Sequence, residues 1–309
     1  MFRILVVRLG SMGDVIHALP AVASLKHSFP HSRLSWVIKP RWAPLLEGNP
    51  FVDEIIPFTR SAREILATRR LLRRDRFDLA VDLQGLIQSA LVAASAKADK
   101  IVGLARTQAR ESFAAMFYSS AVRTSAVHRV DRYLELVDAA GASSLLRTFP
   151  LPPGKPEGTL PEGPFVLACP LAGWGSKQWP LDHYAELAKL LNIPLVVNGP
   201  PDGEDVLRQI QGAQIHLSGL EGLIDATRRA QAVVGVDSGP LHLAAALGKS
   251  GVAIYGPTDP ATHGPYGGTL RVLRSSSAVT SYKRRAADPG SMRAISPAEV
   301  LDALEMCHA

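Results

Sequence analysis

The chain has 309 residues, 47% of them hydrophobic and 20% charged, the make-up of a globular protein long enough for two α/β domains. No apolar run is long enough to span a bilayer, and its two cysteines, Cys169 and Cys307, are too far apart to suggest a disulfide framework or a metal-ligand spacing. The net charge of +6 is lopsided: residues 1–150 hold 21 Lys and Arg against 13 Asp and Glu, and residues 151–309 hold 13 against 15.

Apolar runs at 4–7, 34–38, 54–57, 79–83 and 101–104 predict strands. Helix-like stretches lie between and after them at 14–28, 60–74, 84–96 and 129–140. Arg8 ends the first run, so the start of the chain reads as a buried strand rather than a secretory signal, and a cytoplasmic location is expected. The segment 150–158 is rich in Pro and Gly and reads as a linker. A second alternating set follows, with strands at 165–169, 195–198, 214–216, 232–236 and 251–255. Its helices fall at 182–192, 203–210, 221–229 and 239–247. Residues 274–292 are polar and read as irregular. A last helix over 297–307 has Ser296 as N-cap, Pro297 in its first turn and Glu299 at the capping-box position. Alternation of this kind predicts parallel strands with crossover helices. The expected organisation is an α/β fold of two doubly wound parallel sheets: domain 1–150, domain 151–296 and a C-terminal helix 297–309.

Three loops carry chemistry. After the first strand, Gly10 and Gly13 allow a sharp turn, and Asp14 opens a helix where free N–H groups favour a carboxylate. Asp14 reads as a helix-start carboxylate or as a general base toward an acceptor hydroxyl. Two glycines fall short of the dinucleotide fingerprint, which disfavours an NAD enzyme. In the second half, Val236 leads into Asp237-Ser238-Gly239-Pro240 and an apolar helix. Ser238 and Gly239 would leave backbone N–H groups free at that helix start, a site suited to a diphosphate. Asp237 could accept from sugar hydroxyls, and His242 lies one turn on. Capping explains Asp237 and Ser238 equally well, and a lone His242 is as well read as a structural histidine. Lys177 sits in a Gly-rich loop after another strand, placed to meet phosphate or simply solvated. No Asp-x-Asp motif occurs, so the phosphate would be met by Lys177 and the helix start, with no metal and no cofactor.

These residues resemble the ADP-heptose:lipopolysaccharide heptosyltransferases of glycosyltransferase family 9 over nearly the whole chain. The likeness rests on Ser11-Met-Gly-Asp14-Val-Ile-His-Ala-Leu-Pro20, Asp82-Leu-Gln-Gly-Leu-Ile-Gln-Ser89, Ala109-Arg110-Glu111 with Phe117-Tyr118, and His128-Arg-Val-Asp-Arg132-Tyr. It continues in Lys177-Gln-Trp-Pro180, Gly235-Val-Asp237-Ser-Gly-Pro-Leu-His242 and Tyr255-Gly-Pro-Thr-Asp-Pro260. The first two motifs look closer to heptosyltransferase I than to heptosyltransferase II.

The resemblance implies a GT-B fold, two facing Rossmann-like sheets with a cleft between them, and inversion at the anomeric carbon. It implies Asp14 as catalytic base and Lys177 as diphosphate contact. Asp237, Ser238, Gly239 and His242 would hold the heptose and phosphates of ADP-heptose. Ala172 and Gly173 fall where the family has threonines near the phosphate, so those hydroxyls are lost here, and Ser218 falls near the adenine. Arg60, Arg63 and Arg110 fall where the family meets an anionic Kdo–lipid A acceptor, in line with the basic first half. A monomer is expected, in the cytoplasm and in peripheral contact with the inner membrane. Nucleic acid is not expected as a partner, since no motif for it is present. The alternatives are a related transferase with another acceptor or nucleotide sugar, heptosyltransferase II included, and a non-catalytic nucleotide-binding protein of the same fold. Metal-independent chemistry predicts that EDTA leaves turnover unchanged; loss of turnover that magnesium or manganese restores would refute it.

Overall fold

The computed structural model describes residues 1–59, 61–74, 76–281 and 289–307. Ile4, Leu5, Val6 and Val7 are wholly buried, as expected of a strand covered on both faces. They form β1 (Arg3–Val7) at the centre of a sheet completed by β2 (Arg33–Ile38), β3 (Glu54–Pro57), β4 (Leu79–Asp82), β5 (Lys100–Leu104) and β6 (Ser120–Val122). The order is β3-β2-β1-β4-β5-β6, and every pairing is parallel. Four helices cover it: α1 (Met12–Ser28), α2 (Ala62–Arg74), α3 (Ile87–Ser95) and α4 (Arg129–Ala140). Side chains alternate between faces along a strand. Leu5, Val7, Val37 and Ala80 accordingly pack with Leu72 of α2 and with Val92 and Ala93 of α3, while α1 and α4 pack on each other.

The second half repeats the plan. β7 (Val166–Cys169), β8 (Leu195–Gly199), β9 (Gln214–Leu217), β10 (Ala232–Val236), β11 (Gly251–Tyr255) and β12 (Leu270–Arg274) form a sheet in the order β12-β11-β10-β7-β8-β9, again all parallel. Counted from its own first strand, this is the order of the first sheet. Its helices are α5 (Leu181–Leu190), α6 (Glu204–Leu207), α7 (Leu220–Arg229), α8 (Gly239–Ala246), α9 (Pro260–His263), α10 (Pro289–Arg293) and α11 (Pro297–Glu305). The chain divides into two compact units, Met1–Pro152 and Pro153–Ala309. No helix among the described residues is long and apolar enough to cross a membrane.

The expected elements form, with corrections. Edge strands β6 and β12 were not foreseen: β6 has three residues, none of them buried, and β12 reads Leu-Arg-Val-Leu-Arg with one buried residue, so neither offers an apolar run. β12 and α10 both overlap the stretch expected to be irregular; residues 282–288 lie outside the described residues. The presumed linker is tied down. Glu157 accepts from the amides of Gly219 (2.6 Å) and Gly222 (3.1 Å) and so caps α7, whose own N-cap glycine has no side chain to do it. α11 ends at Glu305 rather than 307 and packs on α5 and β11 within the second unit. Its start is as read: the Ser296 hydroxyl accepts from Glu299 N, and the Glu299 carboxylate accepts from Ser296 N at 2.7 Å.

One buried carboxylate organises the carboxyl end of the first sheet. Asp82, wholly buried at the end of β4, accepts from Gln84 N (2.8 Å), Ser89 Oγ (2.8 Å) and Tyr118 Oη (2.7 Å). The Gln84 side chain then accepts from Leu9 N at 2.8 Å, which ties the loop after β4 to the loop after β1. Tyr118→Phe removes one donor from this carboxylate and should cost about 1–3 kcal/mol. The expected result is a lower urea midpoint at unchanged slope; an unchanged midpoint would mean the clasp carries no stability.

Candidate active site

In this strand order the chain winds outward in both directions from one central pair of strands, and ligands of such sheets sit beyond the carboxyl ends of that pair. The pair is β1 and β4 in the first unit, and β7 and β10 in the second. The loops singled out from sequence leave these very strands: residues 8–14 and 82–89 in one sheet, residues 170–177 and 237–239 in the other.

In the first unit, Ser11 rather than Asp14 is the N-cap of α1, and Asp14 is its third residue. The Asp14 carboxylate accepts from Ser11 N (3.1 Å) and Ser11 Oγ (2.9 Å). Its other oxygen lies 2.5 Å from Nη2 of Arg8. Arg8 is the buried member of that pair, 3% exposed against 22% for Asp14, and its Nη1 donates to Leu83 O at 3.1 Å. The Tyr133 ring of α4 lies under both Arg8 (5.7 Å) and Arg129 (5.9 Å). Burial pushes the Asp14 pKa up, but Arg8, Arg129, the bond from Ser11 and nearby His17 outweigh it. The carboxyl is held well below the usual range. The pair's contribution to stability is therefore complete above the ordinary carboxylate pKa of about 4 and fades only as pH falls through the lower folded value.

Gly10 has φ +141°, and a Cβ there would sit 2.6 Å from Trp42 Nε1, so only glycine fits under that indole. Trp42 Nε1 is buried with no hydrogen-bond partner among the described residues. Arg110 is exposed beside the loop after β4: a Cβ on Gly85 would lie 3.3 Å from Arg110 N. Its neighbour Glu111 caps α3 by accepting from Ile87 N at 2.7 Å. Arg60 lies outside the described residues; Arg63 falls within α2, its side chain likewise outside them.

In the second unit, Lys177 and Asp237, 60 residues apart in sequence, meet with Nζ 2.5 Å from Oδ2. His242 Nε2 lies 3.5 Å from the other oxygen of Asp237. Lys177 Nζ also stands 4.5 Å from the centre of the Trp174 ring. Exposure is reversed relative to the first pair: the carboxylate is the buried member at 8%, and the lysine is 16% exposed. Burial raises the Asp237 pKa, but the hydrogen bond and charge of His242 and the charge of Lys177 outweigh it and hold it well below the usual range. Ser238 is the N-cap of α8, with Gly239 at its first position and Pro240 behind it. The hydroxyl of Ser238 is buried and bonds to nothing among the described residues; the same holds for Ser176 beside Lys177 and Thr258 after β11. Strands β7, β10 and β11 are neighbours, so three unspent hydroxyls follow three adjacent strands. A buried hydroxyl without a partner is costly unless something else bonds it.

Gly173 faces open space, with no heavy atom within 4 Å of where a Cβ would stand. Ala172 leans on the core, and its carbonyl accepts from Gln178 Nε2 at 3.1 Å. Ser218 is not brought into the Lys177–Asp237–His242 cluster by any hydrogen bond. It follows edge strand β9, where its buried hydroxyl accepts from Asn198 Nδ2 at 2.7 Å, beside His216.

Residues 65–289 match the family described as glycosyltransferase family 9 (heptosyltransferase). The chain belongs to glycosyltransferase family 9. Among its relatives, lipopolysaccharide heptosyltransferase 1 of Escherichia coli K12 is 29% identical, over 88% of this chain and 93% of the relative. Lipopolysaccharide heptosyltransferase 2 of Salmonella typhimurium is 30% identical, over 98% of this chain and 97% of the relative. Solved structures of E. coli heptosyltransferase WaaC with ADP and with ADP-2-deoxy-2-fluoro heptose superpose with TM-scores of 0.81 and 0.79 at 26% identity. They cover 99% of this chain, and the chain covers 100% and 99% of them. The protein is thus a glycosyltransferase, and its two Rossmann-like sheets are those of the GT-B class.

Sequence reasoning passed over five residues of this family 9 member: Arg8, Trp42, Tyr133, Ser176 and Thr258. Arg8 left a signal as the charged residue that closes an apolar run six positions before an acid, and Tyr133 and Thr258 lie inside motifs that carry the family likeness, without a role of their own there. Arg8→Gln removes the cation but keeps the burial, so Asp14 should titrate at higher pH than in the wild type. A carboxyl ¹³C titration measures this, and an unchanged midpoint would show that Arg8 does not set the acidity of Asp14.

Proposed function

We propose that this glycosyltransferase moves L-glycero-D-manno-heptose from ADP-heptose to a Kdo residue of the lipopolysaccharide inner core, with inversion. One observation carries the reading. Of the two ion pairs at the strand ends, the first turns its carboxylate outward and the second turns its ammonium outward. A transfer from a diphosphate needs both: a proton acceptor for the attacking hydroxyl and a cation for the departing phosphate.

The acceptor oxygen attacks the anomeric carbon and gives its proton to Asp14. The bond from that carbon to the phosphate oxygen breaks, and its electron pair leaves with ADP. Lys177 and the amides at the start of α8, by Ser238 and Gly239, stabilise the leaving charge. Asp237 and His242 hold the heptose hydroxyls, and the open space over Gly173 admits the diphosphate past Ala172. Ser218 is assigned to the adenine side. Arg110, with Arg60 and Arg63, meets the anionic acceptor. The donor assignment draws on WaaC, whose structures hold ADP and an ADP-heptose analogue. On this reading the protein acts as a monomer on the cytoplasmic side of the inner membrane, without a metal.

The opening and middle motifs favour transfer of the first heptose. Transfer of the second is the alternative, since identity to the two kinds of relative is 29% and 30%. ADP release from ADP-heptose should require a Kdo–lipid A acceptor; release only with an acceptor already carrying a heptose would select the alternative. Asp14→Asn keeps the size of the side chain and an oxygen that can still accept from Ser11 and Arg8, although it leaves buried Arg8 without its counter-charge, so it is preferred to Asp14→Ala and is read beside a melting curve. It should fold, keep its affinity for ADP and lose about 10²–10⁴ in turnover. Full turnover in that variant would eliminate Asp14 as the base.

A further inference from the structure

We infer that Trp174 is a positioning residue for the donor: its ring holds the Lys177 ammonium where it can meet phosphate. This role rests on the donor reading given above, and Trp174 acts in it only through Lys177.

Trp174 is the N-cap of the short 3-10 turn Gly175–Lys177, and Lys177 N donates to Trp174 O at 3.1 Å. Three residues make one turn of such a helix, so side chains at i and i+3 lie over each other. That spacing brings Nζ of Lys177 to 4.5 Å from the centre of the Trp174 ring. The turn is tied at its far side. Gln178 Nε2 donates to Ala172 O at 3.1 Å, and wholly buried Trp179 donates from Nε1 to Ile295 O at 2.9 Å. Trp179 packs in the core of this unit, and Trp174 does not. Trp174 is only half-buried and stands between Gly173 and Gly175, where a Cβ would meet no heavy atom within 4 Å. Core packing therefore does not account for a large ring at this position.

Lysine is a compact charge on a flexible four-carbon stem, so an ion pair alone does not fix which way its ammonium faces. Asp237, 8% exposed, draws Lys177 Nζ to 2.5 Å from the inner side. A second carboxylate on the outer side would hold the ammonium but cancel its charge toward phosphate. The face of an aromatic ring attracts a cation and carries no net charge. Trp174 thus supplies the hold without neutralising the group it holds. Rotamer freedom of the stem is lost in the folded protein before the ligand arrives, which leaves less to lose on binding. Residues 172 and 173 are Ala and Gly and offer no hydroxyl. Phosphate affinity at this loop therefore falls on Lys177 and on the buried, unspent hydroxyl of Ser176.

Isothermal titration of the full chain with ADP tests this role and needs neither sugar nor acceptor. Trp174→Leu should weaken ADP binding about fivefold, the ratio that corresponds to roughly 1 kcal/mol for a cation over a ring. Trp174→Phe keeps a ring and should stay within about twofold of the wild type. Lys177→Gln lacks the cation. On that background Trp174→Leu should change ADP affinity by less than about twofold, a coupling that a merely structural tryptophan would not show. A melting curve accompanies each variant, and the comparison of Leu with Phe decides by itself if Lys177→Gln is unfolded at the assay temperature. Wild-type ADP affinity in Trp174→Leu overturns the role. So does a Trp174→Phe as weak as Trp174→Leu, or an undiminished loss from Trp174→Leu after Lys177→Gln, which would mean that the ring touches the nucleotide itself. Any of these in a chain whose wild type binds ADP rejects Trp174 alone. A wild type that binds no ADP removes the donor reading of the second unit, and this role with it.

Discussion

A parallel sheet that winds outward from a central pair of strands cannot cover the space beyond their carboxyl ends. The two connections leave in opposite directions, so the loops part there and backbone amides are left facing the gap. Both sheets of this protein have that gap, above β1 and β4 in one and above β7 and β10 in the other. Each is furnished with a partly buried ion pair, Arg8 with Asp14 and Lys177 with Asp237. Such pairs are poor stabilisers. Removing a charge from water costs several kcal/mol, and a well-packed apolar pair of similar volume is often as stable or more so. Stability alone would be served as well by apolar side chains at these two places, which fits the working roles proposed for the pairs.

The pairs are built in opposite senses. In the first, the guanidinium is locked in the core by Leu83 O and the Tyr133 ring, and the carboxylate reaches outward. In the second, the carboxylate is locked in by His242, and the ammonium is the more exposed partner. The inner member fixes the position of the outer one, and in the first pair Arg8 also holds the acidity of Asp14. A rigid backing of this kind matters because a reacting group misplaced by about 1 Å can cost a hundredfold in rate. The Asp82 clasp extends the backing in the first unit, since Gln84 holds the amide of Leu9 at the root of the loop that carries Asp14.

Periodicity carried most of the fold because the central strands are buried on both faces and read as unbroken apolar runs. It failed where that physical basis failed: at edge strands β6 and β12, whose residues face water, and at the segment around Glu157, whose composition hid a cap supplied to a distant helix. Motifs at the strand ends located Asp14, Lys177, Asp237 and Ser238 because loops after buried strands are short and their residues have few places to go. They gave no task to Trp42, which lies outside every motif, or to Tyr133 and Thr258, which lie inside motifs but whose ring contact with Arg8 and unspent hydroxyl are visible only in the folded chain. For Asp82 the motif was legible but its task was not: a buried acid read from sequence could be a base, a ligand or a tie, and only its donors decide.

The lowered pKa of Asp14 constrains the proposed chemistry. A general base works best when its pKa is near the working pH, and Arg8 and Arg129 hold Asp14 far below that. A carboxylate so stabilised is always ionised but pulls weakly on an alcohol proton. An alcohol becomes acidic only as its oxygen bonds to the anomeric carbon and acquires positive charge. Proton transfer to Asp14 must then come late, after bond formation at carbon is advanced. In the proposed reaction that advance comes from departure of the diphosphate, the step assigned there to Lys177 and the start of α8. A base this acidic, in the reaction proposed, depends on the leaving group to make the attacking oxygen acidic.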